Sequence, residues 1–146
     1  RLTYHGPGQI LAYPILALAG PERDLHAYLR TLEAAIIATL QDFGVPGERR
    51  VGQAGVWVGE AKIASIGVAV RGWVTWHGLA LNLTGDLAGF NLIDPCGIPG
   101  LRVTSLERET GTELTRETVQ ERLADHLCRL VGREGTWTPV EELSLP

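Results

Sequence analysis

The chain has 146 residues, of which 45% are hydrophobic and 21% charged, with a formal net charge of −4 at pH 7. That balance excludes intrinsic disorder, collagen and coiled coil, and its acidic sign argues against a dedicated nucleic-acid binder. At this length one domain is expected, burying about 70% of the surface of its unfolded chain. Cys96 and Cys128, the two cysteines, are too few for a disulfide scaffold, so a reducing, cytoplasmic compartment is expected. No signal peptide opens the chain, and the longest apolar stretch, Ile10 to Ala19, is interrupted by Pro14 and too short to span a bilayer. With no methionine anywhere, Arg1 is not an encoded start residue, and the sequence reads as a fragment.

Residues 1–9 (RLTYHGPGQ) hold two glycines and a proline and read as an ordered loop. Ile10 to Leu18 is an apolar run of strand length, broken by Gly20-Pro21. From Glu22 to Phe43, Leu25, Leu29, Leu32, Ile36, Leu40 and Phe43 recur at three- and four-residue steps. That spacing predicts an amphipathic helix, started near Pro21 and stopped by Gly44. Val56–Val58 and Lys62–Val70 flank Gly59-Glu60, a glycine-first pair suited to a type II′ hairpin. A third strand is expected from Trp73 to Leu83. The Pro/Gly-rich loop Asn91–Gly100 and an extended piece at Val103–Ser105 follow. A second helix is predicted over Arg116–Val131, with Thr115 as N-cap and Val119, Leu123, Leu127 and Leu130 facing inward. Strands with covering helices give an α/β or α+β domain.

Cys96 stands between Pro95 and Gly97, a setting that exposes a side chain on a backbone turn. A cysteine there acts as a nucleophile if a neighbour makes its thiolate available; otherwise it is a small loop residue without chemistry. Cys128 falls away from the inner helical face and reads as structural. Lys62 is the only lysine, against twelve arginines. A lone lysine among arginines suits proton transfer, a task that arginine performs badly, although chance retention in a strand accounts for it equally well. His26 and His126 lie in helices and read as packing or surface residues. His5 and His77 each precede a glycine, where functional and structural readings balance. None of the histidines has zinc-site spacing, and residues 3–9 lack the lysine and glycine spacing of a phosphate loop.

Five blocks, in order, resemble the lipoyl-domain octanoyltransferases, the acyl-carrier-protein-dependent enzymes that begin protein lipoylation. They are Thr3 to Gln9 (TYHGPGQ), Gly59 to Gly67 (GEAKIASIG), Trp76 to Asn82 (WHGLALN), Asp94 to Ile98 (DPCGI) and Val103 to Leu106 (VTSL). The resemblance runs to about Val131. It implies an α/β (α+β) fold, a mixed sheet flanked by helices like the biotin and lipoate ligase catalytic domain. One catalytic domain would fill residues 1–146. It would lack its N-terminal segment, which in the family carries an Arg-Gly-Gly triplet just before the equivalent of Arg1.

The resemblance further implies that Cys96 is the acyl-thioester nucleophile and Lys62 the lysine that lowers its pKa. Acyl-binding segments correspond to Arg1, Leu2, Thr3, Tyr4 and His5, to Ser65, Ile66 and Gly67, and to Gly78, Leu79 and Ala80. The implied donor is octanoyl-acyl-carrier protein. The implied acceptor is a lysine of lipoyl domains in 2-oxoacid dehydrogenase complexes or of the glycine-cleavage H protein. No cofactor, metal, nucleic acid or membrane is implied. The chemistry is self-consistent: one thioester replaces another at Cys96, and attack by an amine then gives a more stable amide without ATP. Gly67 and Gly78 would let an extended acyl chain approach the backbone. Two other readings are an ATP-dependent lipoate or biotin ligase and a catalytically silent module that docks carrier protein or lipoyl domain. An acidic partner would need a basic patch, for which Arg71, Arg102 and Arg108 are candidates.

Overall fold

The computed structural model describes residues 5–84, 100–136 and 138. Five strands form one sheet in the order β1-β5-β4-β3-β2, and every pairing between them is antiparallel. The strands are β1 (Gln9–Ala12), β2 (Glu48–Arg50), β3 (Gln53–Val58), β4 (Ala61–Arg71) and β5 (Val74–Asn82). A parallel bridge from Val103 to Lys62 makes the sheet mixed. Helices α1 (Leu25–Asp42) and α3 (Arg116–Leu130) pack against each other, and α1 also packs on β3, β4 and β5. A short helix, α2 (Leu106–Thr110), precedes α3. This is the helix-covered sheet that the sequence predicts. No helix among the described residues is long and apolar enough to cross a membrane.

Of the predicted stripe of α1, Leu32, Ile36 and Leu40 are buried against Val56, Ile63, Leu79 and Leu81 of the sheet, Leu29 and Phe43 are half-buried and Leu25 is exposed; Tyr28 and Ala35, outside that stripe, complete the buried face. Each buried leucine, isoleucine or valine contributes about 1.5–3 kcal/mol on removal from water. Val119, Leu123 and Leu127 of α3 close the same core, with Leu130 packed at its margin.

Local chemistry moves some boundaries. The cap of α1 is Asp24, whose carboxylate accepts from the Ala27 N–H at 3.0 Å, whereas Pro21 lies in a preceding 3₁₀ turn. Gly44, at φ +74°, ends the helix as expected. Thr115 holds the N-cap place of α3 but makes no side-chain cap bond. The apolar run from Ile10 is not one strand. Pro14 has no N–H to continue a ladder, so β1 ends at Ala12 and the chain returns at Ala17, bridged to Val74. Both β2, a three-residue charged edge strand, and α2, little more than one turn, are too short to show periodicity.

Tyr28 ties α1 to that irregular stretch, donating from its hydroxyl to the Pro14 carbonyl at 3.4 Å. Burial raises its pKa above the ordinary 10.0, with a hydrogen bond to Thr75 acting the other way. A raised folded-state value means that the unfolded chain loses this proton first. Stability from this group is therefore intact below about pH 10 and declines as pH rises through the folded value. Tyr28→Phe should cost about 1 kcal/mol at neutral pH and flatten the alkaline decline relative to the parent. Denaturant unfolding of both proteins across that range checks it, and parallel pH slopes would contradict it.

Candidate active site

The site begins with an irregularity in the β3–β4 pairing. Val56 faces Ala64 but the next residue, Trp57, faces Lys62, so Ile63 is an extra residue on β4. Such a bulge re-aims the side chains on either side of it. Ile63 and Ala64 both turn into the core, with Ile66 and Val68 packed against it further along. Strict alternation would have sent Lys62 the same way. The bulge instead puts Lys62 opposite Trp57, on the other face of the sheet.

There Lys62 is 4% exposed, and its Nζ sits 4.9 Å from the centre of the Trp57 ring. Its backbone is fixed as well. The β4–β5 pairing stops at Ala64↔Leu81. Beyond it residues 102–104 take over the edge of β4, the Lys62 N–H donating to the Arg102 carbonyl at 2.8 Å and Thr104 N–H to the Lys62 carbonyl at 3.0 Å.

From Lys62 the same face runs along the sheet through the cross-strand pairs Ser65↔Ala80 and Gly67↔Gly78. Four small residues side by side leave a trough. The resulting cleft, of about 290 Å³, is lined by them together with Leu79, Val68, His77, His5 and Tyr13. His77 holds a left-handed backbone, φ +62°. That conformation is uncommon for a residue with a Cβ and is sustained by its surroundings.

The two floor glycines have different causes. A Cβ on Gly67 would meet no atom within 4 Å, so it would project into open cleft. A Cβ on Gly78 would collide with the Ala12 carbonyl oxygen and reach 2.9 Å from Pro14 Cδ. Gly78 therefore admits the protein's own backbone, which carries Tyr13 to the cleft wall. The fold itself thus requires glycine at this place in the cleft lining.

A buried polar network holds the loops around the Lys62 end. Gln9 Nε2 donates to Asn82 Oδ1 at 2.9 Å, and Asn82 Nδ2 donates to the Thr104 carbonyl at 2.9 Å. Gln9 also receives the Gly6 N–H on its side-chain oxygen and the Arg116 guanidinium on its carbonyl. The ends of three sequence blocks thus meet in one cluster.

Of the sequence-predicted residues, Lys62, His5, Ser65, Gly67, Gly78, Leu79 and Ala80 fall on this face or line the cleft, whereas Ile66 packs against the core. Arg1, Leu2, Thr3, Tyr4 and Cys96 lie outside the described residues. His26 is exposed on α1, His126 pairs with Asp42 at 2.8 Å, and Cys128 is half-buried on α3. The expected arginine patch divides. Arg102 adjoins Lys62, but Arg71 ends β4 nine residues away, about 30 Å along the strand. Gln9, Tyr13, Gly55, Trp57, Asn82 and Thr104 were not singled out by sequence. Gln9, Asn82 and Thr104 lie inside the resembling blocks without an assigned role, Asn82 as the polar residue that closes Leu79-Ala80-Leu81; Tyr13, Gly55 and Trp57 carry no such signal.

Comparisons with known proteins give the family and the fold. Residues 1–128 match the lipoyl protein ligase A/B catalytic domain. An octanoyltransferase of Syntrophotalea carbinolica is 46% identical over 143 residues, 98% of this chain and 66% of that protein. One from a Roseiflexus species is 50% identical over 146 residues, 93% of this chain and 61% of that protein. The chain thus spans roughly two thirds or less of the length of these relatives. Among solved structures, biotin protein ligase from Aquifex aeolicus superimposes with a TM-score of 0.67 at 17% identity, covering 86% of this chain and 53% of its own. A putative lipoate protein ligase from T. acidophilum with bound lipoic acid gives 0.66 at 15% identity, covering 90% and 55%. At such identities these two share the fold. The family match extends over most of the sequence, and the chain belongs to the lipoyl protein ligase A/B catalytic domain family.

Proposed function

We propose that this chain is the catalytic part of an octanoyltransferase that moves an octanoyl group from octanoyl-acyl-carrier protein to a lysine of a lipoyl domain through a Cys96 thioester. The observation that carries the proposal is the placement of the only lysine. Lys62 is turned by a bulge onto the face whose next residues form an apolar, small-residue trough. An acyl chain lying over Ser65 and Gly67 has its carbonyl end toward Lys62. The relatives named octanoyltransferase support the acyl group assigned.

In the first half-reaction the Cys96 thiolate attacks the donor thioester carbonyl, and the carrier thiolate leaves and takes up the proton of the Lys62 ammonium, which becomes a neutral amine. In the second, the acceptor amine attacks the Cys96 thioester, the amide bond forms, and Cys96 leaves as thiolate. The proton lost by the amine passes to Lys62, which acts as general base in this step and as ammonium partner of the thiolate in the first. No bond to phosphate is made, so ATP is not consumed.

The proposal is tested with the protein at the full length of its relatives, incubated with octanoyl-acyl-carrier protein with and without ATP and followed by intact mass. A single octanoyl adduct without ATP, lost on hydroxylamine treatment, is expected. Dependence on ATP would favour a ligase, and no adduct would leave a docking module.

Two pairs of variants follow. Cys96→Ser should abolish the adduct. Lys62→Arg keeps the charge but not a readily lost proton, so the thioester should accumulate and amide formation should stall in single-turnover mass spectrometry. Equal slowing of both half-reactions would remove the proton-relay role. Gly67→Val fills the trough and should weaken use of the octanoyl donor by about tenfold or more, with little change in melting temperature. Gly78→Ala should instead destabilise the fold by about 1–3 kcal/mol. Thermal unfolding beside donor kinetics separates the two, and the reverse pattern would refute the assignment of the two glycines.

A further inference from the structure

We infer that Trp57, Gly55 and Glu33 are positioning residues that clamp the Lys62 side chain, an inference resting on the reading of Lys62 as the lysine of the acyl-transfer site. The indole of Trp57 is fully buried, and the Lys62 ammonium lies over its ring at 4.9 Å from the centroid. A cation held over an aromatic face out of water is attracted by the ring quadrupole, most strongly for tryptophan. Among the described residues its Nε1–H meets no acceptor, whereas its π face meets the ammonium.

Gly55 closes the clamp from a second direction. A Cβ built there would stand 2.5 Å from the Ala64 carbonyl oxygen, 2.7 Å from Lys62 Cε and 3.3 Å from Nζ, so both the β4 backbone and the Lys62 side chain lie against this glycine. The backbone is held at φ +132°, a conformation that disfavours any side chain. What holds it comes from the helix layer. The Gly55 N–H donates to Oε1 of Glu33 at 3.3 Å, and Glu33 is 1% exposed. Its other oxygen accepts from Arg30 Nη1 at 2.7 Å and Arg49 Nε at 3.1 Å. Two partly exposed arginines thus stabilise a buried carboxylate, which fixes a glycine, on which the lysine rests. None of these three residues lines the acyl cleft, so they act on the ammonium and not on the acyl chain.

The test exploits the single lysine. Limited labelling with an amine-directed reagent, mapped by peptide to separate Lys62 from the terminal amine, reads how firmly the side chain is held. Trp57→Leu should raise the Lys62 labelling rate roughly tenfold, and Trp57→Phe, which keeps a π face, should stay within about threefold of the parent. In the full-length enzyme kcat for amide formation should fall in the same order, with KM for the acyl donor unchanged. Gly55→Ala should raise labelling as well; if it fails to fold, the tryptophan pair carries the test. Labelling and kcat unchanged in Trp57→Leu, or equal effects of Leu and Phe, would overturn the clamp. The predicted labelling order in a protein that transfers no acyl group would uphold the clamp and remove the acyl-transfer reading.

Discussion

The inserted residue on β4 is the constraint on which the rest of the site depends. Side chains of a strand alternate, so a face that buries Ala64, Ile66 and Val68 would also bury Lys62, and a cationic ammonium in that core would be prohibitively costly. Setting both Ile63 and Ala64 toward the core resolves the conflict within a single step of register. The one lysine is thereby buried on the opposite face, which continues past it to Ser65, Gly67, Gly78 and Ala80. Fold and site are thus the two faces of the same strand.

Close approach of backbone is the second theme. At Gly78 the Ala12 carbonyl takes the room of a side chain and brings Tyr13 to the cleft; at Gly55 the Ala64 carbonyl and the Lys62 side chain share it. Polar groups buried by this packing are satisfied mutually, Gln9 with Asn82 and Asn82 with the Thr104 carbonyl. Buried hydrogen bonds of this kind fix geometry because leaving any member unpaired costs about 1–3 kcal/mol. The loop before β1, the end of β5 and the segment beside Lys62 are tied together by these bonds.

Long periodic features were legible in the sequence. The three- and four-residue spacing from Leu29 to Leu40, the inner face of α3 and the strands flanking Gly59-Glu60 and Gly72 occupy their predicted places, while Leu25 is exposed. The resemblance placed Lys62, Ser65, Gly67 and Ala80 in one site, and they share one face. The bulge was not legible, because Ile63 is an ordinary strand residue whose extra count exists only relative to β3. Nor was the cause of Gly78, since a glycine looks the same whether it admits a ligand or the protein's own carbonyl. Arg71 was grouped with Arg102 by composition alone, and strand length separates them.

The central claim is that the trough beginning at Lys62 is where the acyl chain lies. It is tested most directly by nuclear Overhauser contacts from a ¹³C-labelled octanoyl group bound to the isotopically complementary protein. Contacts of its carbonyl end with the Lys62 side chain and of its methyl end with the Gly67 and Gly78 α-protons are predicted. Contacts instead with Leu16, Tyr28 and Leu130, which line a separate apolar hollow between the helices, would contradict the account.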